Sequence, residues 1–271
     1  MKLKKILLGL AYMSVMASCA DLDYHEYTVY DKDYVFTDFG RTGAVVTNIY
    51  SYLDYDLPSE VSYCSACDEA QFAWSWSSIH DWINGAWSST NSHSLWNYYS
   101  GIRDANFFLE ESQNADFSEL KEDKNYVAEM NRFNRYKYEV RFLRAYFYFN
   151  LVRAFGEVPL IDFKVGSVAD ANIPKSSVAQ IYTLIDEDLT NAESYLPRTW
   201  EAQYVGRLSW GAARALHART YMMRNDWNNM RAAAEDVISS GLYNLNTPYE
   251  DIFREKGENC GESVLELQCT A

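Results

Sequence analysis

The stretch from 125 to 161 constrains this chain most, above all its second half, RFLRAYFYFNLVRAFGEVPLI. Val140, Leu143, Phe147 and Leu151 recur at helical spacing on one face. Phe142, Ala145, Tyr146, Phe149 and Val152 recur on another. A helix apolar on two faces has neighbours on both sides, so the spacing predicts a long buried helix over 125–155. At about 100° per residue, Asn134, Lys137, Arg141, Arg144 and Tyr148 fall on one narrow polar stripe. Gly156 is suited to cap the helix and Pro159 forbids its continuation, leaving Val-Pro-Leu-Ile as a short extended exit. Arg141 and Arg144 are therefore expected to meet buried carboxylates or helix-end carbonyls rather than a ligand.

Further helices belong around this one. The apolar spacing predicts helices over 42–53, over SLWNYYSGIRDANFFLEES, and over SSVAQIYTLIDEDLTNAESYL, where Ser176 or Ser177 can cap. From Ser209 the chain reads as a helix, a turn at Asn225-Asp226, and a second helix ending at Gly241. Ala212, Ala213, Ala215 and Ala218 permit close helix approach, and Tyr221 follows Ala218 as in tetratricopeptide pairs. The expected fold class is mainly α, with stacked helix pairs and long irregular loops. ESVLELQCTA at the end reads as a strand.

The N-terminus reads as a leader. Lys2, Lys4 and Lys5 precede the apolar run 6–17, which is too short for a permanent membrane span. Ala17 and Ser18 then precede Cys19 in the manner of a bacterial lipobox, with Met16 where Leu is usual. The expected organisation is a signal peptide over 1–18, a lipid-anchored extended tether over 19–40 that docks on the body, and a helical domain over 41–271.

Charge excludes one class of partner. The formal net charge is −14, which lacks the basic footprint that nucleic-acid binding requires. Asp31, Asp33 and Asp38 lack the glycine and distal glutamate of a calcium loop and read as solvated acids. Cys64-Ser-Ala-Cys67 has no nearby second pair for zinc; a local disulfide and unpaired thiols both remain open. No GxSxG, HExxH or phosphate-loop motif is present, and no cofactor is implied.

The chemistry lies in the long loop from Asp54 to Ser94. WSWSSIHDWINGAWSSTN combines Trp74, Trp76, Trp82 and Trp87 with Asp81, Asn84 and Asn91. The chain holds 8 Trp and 22 Tyr, more than a core requires, and such rings pair an apolar face with a polar tip. Sugar rings have apolar C–H faces and polar edges, so an aromatic and amide-rich pocket suits them.

Taken together, the lipobox with CADLD, the WNYYSGIRDANFFLE helix, VRFLRAYFYFNLVRAFGEVPLI, the DW helix pair and ESVLELQ resemble the SusD/RagB family of glycan-binding lipoproteins. The acidic residues after Cys19 are similar to the surface-export signals of Bacteroidetes lipoproteins. The resemblance implies a tetratricopeptide-like scaffold, no enzymatic activity, and an outer-membrane, cell-surface location. It also implies oligosaccharide as ligand and a SusC-like TonB-dependent transporter as partner, over which the protein closes as a lid. Family members are about twice as long, so the chain is expected to be an N-terminal portion. The site residues expected are Trp82 and Trp87 as stacking platforms with Trp76, and Asp81, Asn84 and Asn91 as edge readers. The competing reading is a helical adaptor lipoprotein that binds protein only, which should place its aromatics on helix faces.

Overall fold

A computed structural model describes residues 31–53, 63–68, 70–77, 79–86, 88 and 94–268. The long helix is present as expected, at Tyr126–Phe155. Numbered in chain order, the α-helices are α1 (Lys32–Val35), α2 (Phe39–Tyr50), α3 (His80–Asn84), α4 (Tyr98–Glu111), α5 (Tyr126–Phe155), α6 (Val168–Ala171), α7 (Val178–Tyr195), α8 (Trp210–Met223), α9 (Trp227–Ser239) and α10 (Tyr249–Ile252). No strand occurs among the described residues; an isolated antiparallel bridge joins Pro159 to Lys175.

α5 is the centre of the stack. It packs against α2 and α4 on one side and α7 on the other; α7 packs on α8, and α8 on α9. Both predicted apolar faces are used: Val140, Leu143, Phe147 and Leu151 are buried, and so are Phe142, Ala145, Phe149 and Val152. α4 approaches closely because Gly101 faces the Phe147 ring, where an added Cβ would sit 2.7 Å from a ring carbon. Gly156 ends α5 with a positive φ, and its N–H donates to the Val152 carbonyl at 2.9 Å.

Local chemistry explains the other boundaries. Ser177 and Gln180 form a reciprocal capping box at the start of α7. Ser209 caps α8, Asn225 takes the left-handed turn conformation, and Asp226 caps α9. Asp31 and Asp38, read as solvated acids, accept the Tyr34 and Arg41 amides at 2.7 and 2.9 Å and so start α1 and α2.

Two local expectations are corrected. The described part of the tether, 31–40, docks on the body as expected but is not extended: it folds into α1 and the first turn of α2. Phe36 packs its ring near Phe107 and Phe108, and Phe39 stacks on Phe117 at 4.1 Å. Burial of those two rings outweighs the polar composition around them. The 262–268 segment is irregular rather than a strand; Val264 and Leu265 pack on the core with no neighbouring strand among the described residues.

The polar stripe of α5 forms the buried network expected of it. Arg144, 5% exposed, donates from Nε and one terminal nitrogen to the two oxygens of fully buried Asp188 at 2.7 and 2.9 Å. Its other terminal nitrogen donates to Asn106 Oδ1 at 2.7 Å, and Arg141 reaches Asp188 at 2.7 Å. Burial works against the Arg144 charge, but Asp188 outweighs it and raises the guanidinium pKa above its ordinary value. Tyr148 accepts the Ile161 amide and donates to its carbonyl, which also takes a bond from Asn106. The stripe thus clamps α5 to α4, α7 and its own exit segment.

Candidate functional site

The tryptophan segment is anchored by buried residues and presents large exposed ones. Ser77 and Ile79 are buried. The Ser77 amide donates to the Trp74 carbonyl at 3.2 Å, and the His80 ring nitrogen Nε2 lies 3.0 Å from the same oxygen. α3 follows and ends at Gly85, which adopts the left-handed conformation that a side chain would disfavour.

This anchoring turns Trp74 and Trp76 outward together. Their rings stack at 5.3 Å with planes 23° apart, and they are 59% and 66% exposed. Phe72 buttresses Trp74 edge-on at 5.5 Å. Leaving two large apolar side chains in water forgoes roughly 1.5–3 kcal/mol of burial each. A stacked, outward pair offers a flat apolar platform with indole N–H donors at its edge.

The predicted residues divide as follows. Trp76 stands on this platform. Asp81 is half-buried in the first turn of α3. Asn84 is exposed, and its Oδ1 accepts the Ala86 amide at 2.9 Å, so the turn uses its acceptor. The Trp82 side chain, Trp87 and Asn91 lie outside the described residues, as do Cys19, the leader and the Cys64 side chain. Trp74 was not among the predicted site residues, although composition alone could not separate it from Trp76. A further aromatic, Trp96, lies flat on Phe155 at 4.4 Å and 9° at the end of α5 while remaining 45% exposed. No cluster of metal-ligating side chains occurs among the described residues.

Stacked helices bearing exposed aromatics on a long loop define a helical scaffold protein. The family model for SusD-like proteins, described as starch-binding and associating with the outer membrane, matches residues 23–222, and the chain belongs to this family. It is 32% identical over 141 residues to a SusD-like protein of Bacteroides ovatus, covering 48% of this chain and 25% of that one. It is 25% identical over 217 residues to the starch-binding protein SusD of Bacteroides thetaiotaomicron, covering 74% and 36% of the two chains. The fold superimposes on the crystal structure of a SusD-like protein from Bacteroides fragilis with a TM-score of 0.70 and 26% identity, over 89% of this chain and 46% of that one. The chain therefore spans less than half the length of these relatives.

Proposed function

We propose that this protein binds oligosaccharide at the outer-membrane surface as a lipoprotein anchored through Cys19, and passes it to a SusC-like TonB-dependent transporter over which it closes. The role is binding, not catalysis. The observation that carries the reading is the outward-stacked Trp74–Trp76 pair in a chain of the SusD-like family. A sugar ring lays its C–H face on these indoles while Asp81, Asn84 and Asn91 take its hydroxyls, with Trp82 and Trp87 as further platforms. Starch-type α-glucans are the first ligands to try, because the family description and the Bacteroides thetaiotaomicron relative both name starch.

The test is a glycan array probed with the whole protein and with Trp82→Ala and Trp87→Ala. Binding to at least one glucan, weakened by either substitution, supports the reading; no binding to any glycan sinks it. The transporter is tested by affinity purification from detergent-solubilised outer membranes. An outer-membrane barrel in the eluate is expected, and its absence would count against the lid role.

A further inference from the structure

The polar stripe of α5 has a second use. Asn134, Lys137 and Arg141 form one wall of a cleft of about 670 Å³ bounded by α4, α7 and the segment 162–164. That volume lies within the ~300–1,000 Å³ typical of small-molecule pockets. Its back is rigid, because Arg144 and Asn106, 5% and 2% exposed, are held by Asp188 and by each other.

The mouth differs from the back. The Asn134 amide and the Asp162 carboxylate make no hydrogen bond among the described residues. The Lys137 ammonium lies 5.0 Å from the Tyr138 ring and has no carboxylate partner among them. Phe163 lines the same mouth with its ring 42% exposed. Four cations line the cleft, Lys137, Arg141, Arg144 and Lys164, against Glu110, Asp162 and Glu187; Asp188 behind the wall neutralises Arg144, so the cleft favours neither anion nor cation. Donors and acceptors in balance beside an aromatic face suit a neutral polyhydroxylated ring.

We propose that this cleft is a second sugar-binding site, taking one or two rings of a neutral saccharide. Phe163 stacks on the ring face, and Asn134, Lys137 and Asp162 read its hydroxyls. The choice of ligand rests on the glycan-binding reading above, but the cleft shares no lining residue with the tryptophan platform. The cleft lies along residues 133–144 of α5, whereas Trp96, where the loop rejoins the fold, packs on Phe155. Arg144, the end of the cleft nearest Phe155, is about 16 Å from it along the helix axis.

The experiment is isothermal titration of the full chain with maltotriose, cellotriose and laminaritriose. Wild type, Trp74→Ala/Trp76→Ala and Asn134→Ala/Asp162→Ala are compared, alone and combined, with thermal melting as a check on folding. The tryptophan variant is expected to retain binding of at least one trisaccharide, and adding the cleft substitutions should weaken that remainder at least tenfold. If wild type binds but the tryptophan variant does not, the cleft site is overturned and the platform stands. If the remainder survives the cleft substitutions, the cleft is likewise overturned. If only the cleft substitutions remove binding, the cleft stands and the platform fails. If wild type binds none of the three, both are overturned.

Discussion

Replacing Asp188 with Asn should unlock the scaffold. Asp188 is fully buried and takes three hydrogen bonds, at 2.7, 2.9 and 2.7 Å, from Arg144 and Arg141. The substitution keeps the volume and removes the charge. Arg144, with a side chain 6% exposed, is then left with an uncompensated guanidinium in the core. Removing one partner of such a pair costs about 3–5 kcal/mol. Arg141 is 28% exposed and can rehydrate, so its share adds less than about 1 kcal/mol. A loss of roughly 3–5 kcal/mol is a large part of the ~5–15 kcal/mol typical of a domain. At about 2–4 °C per kcal/mol it corresponds to a fall in Tm of roughly 6–20 °C. Urea denaturation followed by circular dichroism reads the loss. Adding Arg144→Met removes the orphaned charge, so the double variant should lose less than the sum of the single losses. A loss below about 1 kcal/mol for Asp188→Asn, or strict additivity in the double variant, would show that the pair does not brace the helices as described.

Three further outcomes can be tested. Gly101→Ala drives a Cβ to 2.7 Å from the buried Phe147 ring; overpacking of about 1–3 kcal/mol exceeds the ~1 kcal/mol gain in helix propensity, so the urea midpoint should fall. Burial of His217 pulls its pKa down, but Asp186 and Glu193 outweigh burial and hold it above 6.5; Glu193 lies 2.6 Å from Nδ1, with Asp186 in ionic contact at 3.3 Å from Nε2. The imidazolium is favoured by folding, so its stabilisation is complete below pH 6.5 and is lost as pH rises through the raised value. The stability advantage of wild type over His217→Asn should therefore shrink from pH 6.5 upward, and an advantage that grows would refute this. Cys19→Ala should move the protein from the membrane to the soluble fraction; continued sedimentation with membranes would contradict lipid anchoring.

The long helix was legible because three signals agree within α5: two apolar faces, a narrow polar stripe, and a Gly-x-x-Pro stop. The stripe even disclosed its chemistry, since two arginines between apolar faces need carboxylates. Their partner Asp188 was not legible, because it lies on α7 and only tertiary packing brings it there. Periodicity failed where burial is aperiodic. Phe36 and Phe39 enter the core from a polar segment with no repeating pattern, so 31–40 read as a tether. Val264 and Leu265 sit in a run that suits a strand, yet they pack on helices instead. In the loop, composition pointed to tryptophan as the working side chain. It could not show that Ser77 and Ile79 would be buried and so turn Trp74 outward beside Trp76. Nor could it show that the α5 stripe lines an open cleft at one end and a locked network at the other.

The central claim, that the exposed tryptophan pair is a sugar platform, is tested most directly by affinity electrophoresis. Wild type and Trp74→Ala/Trp76→Ala are run in native gels cast with and without soluble starch. The account predicts that starch retards wild type and that the double variant loses most of this retardation, corresponding to at least a tenfold drop in affinity, or about 1.4 kcal/mol. Equal retardation of the two proteins would contradict it.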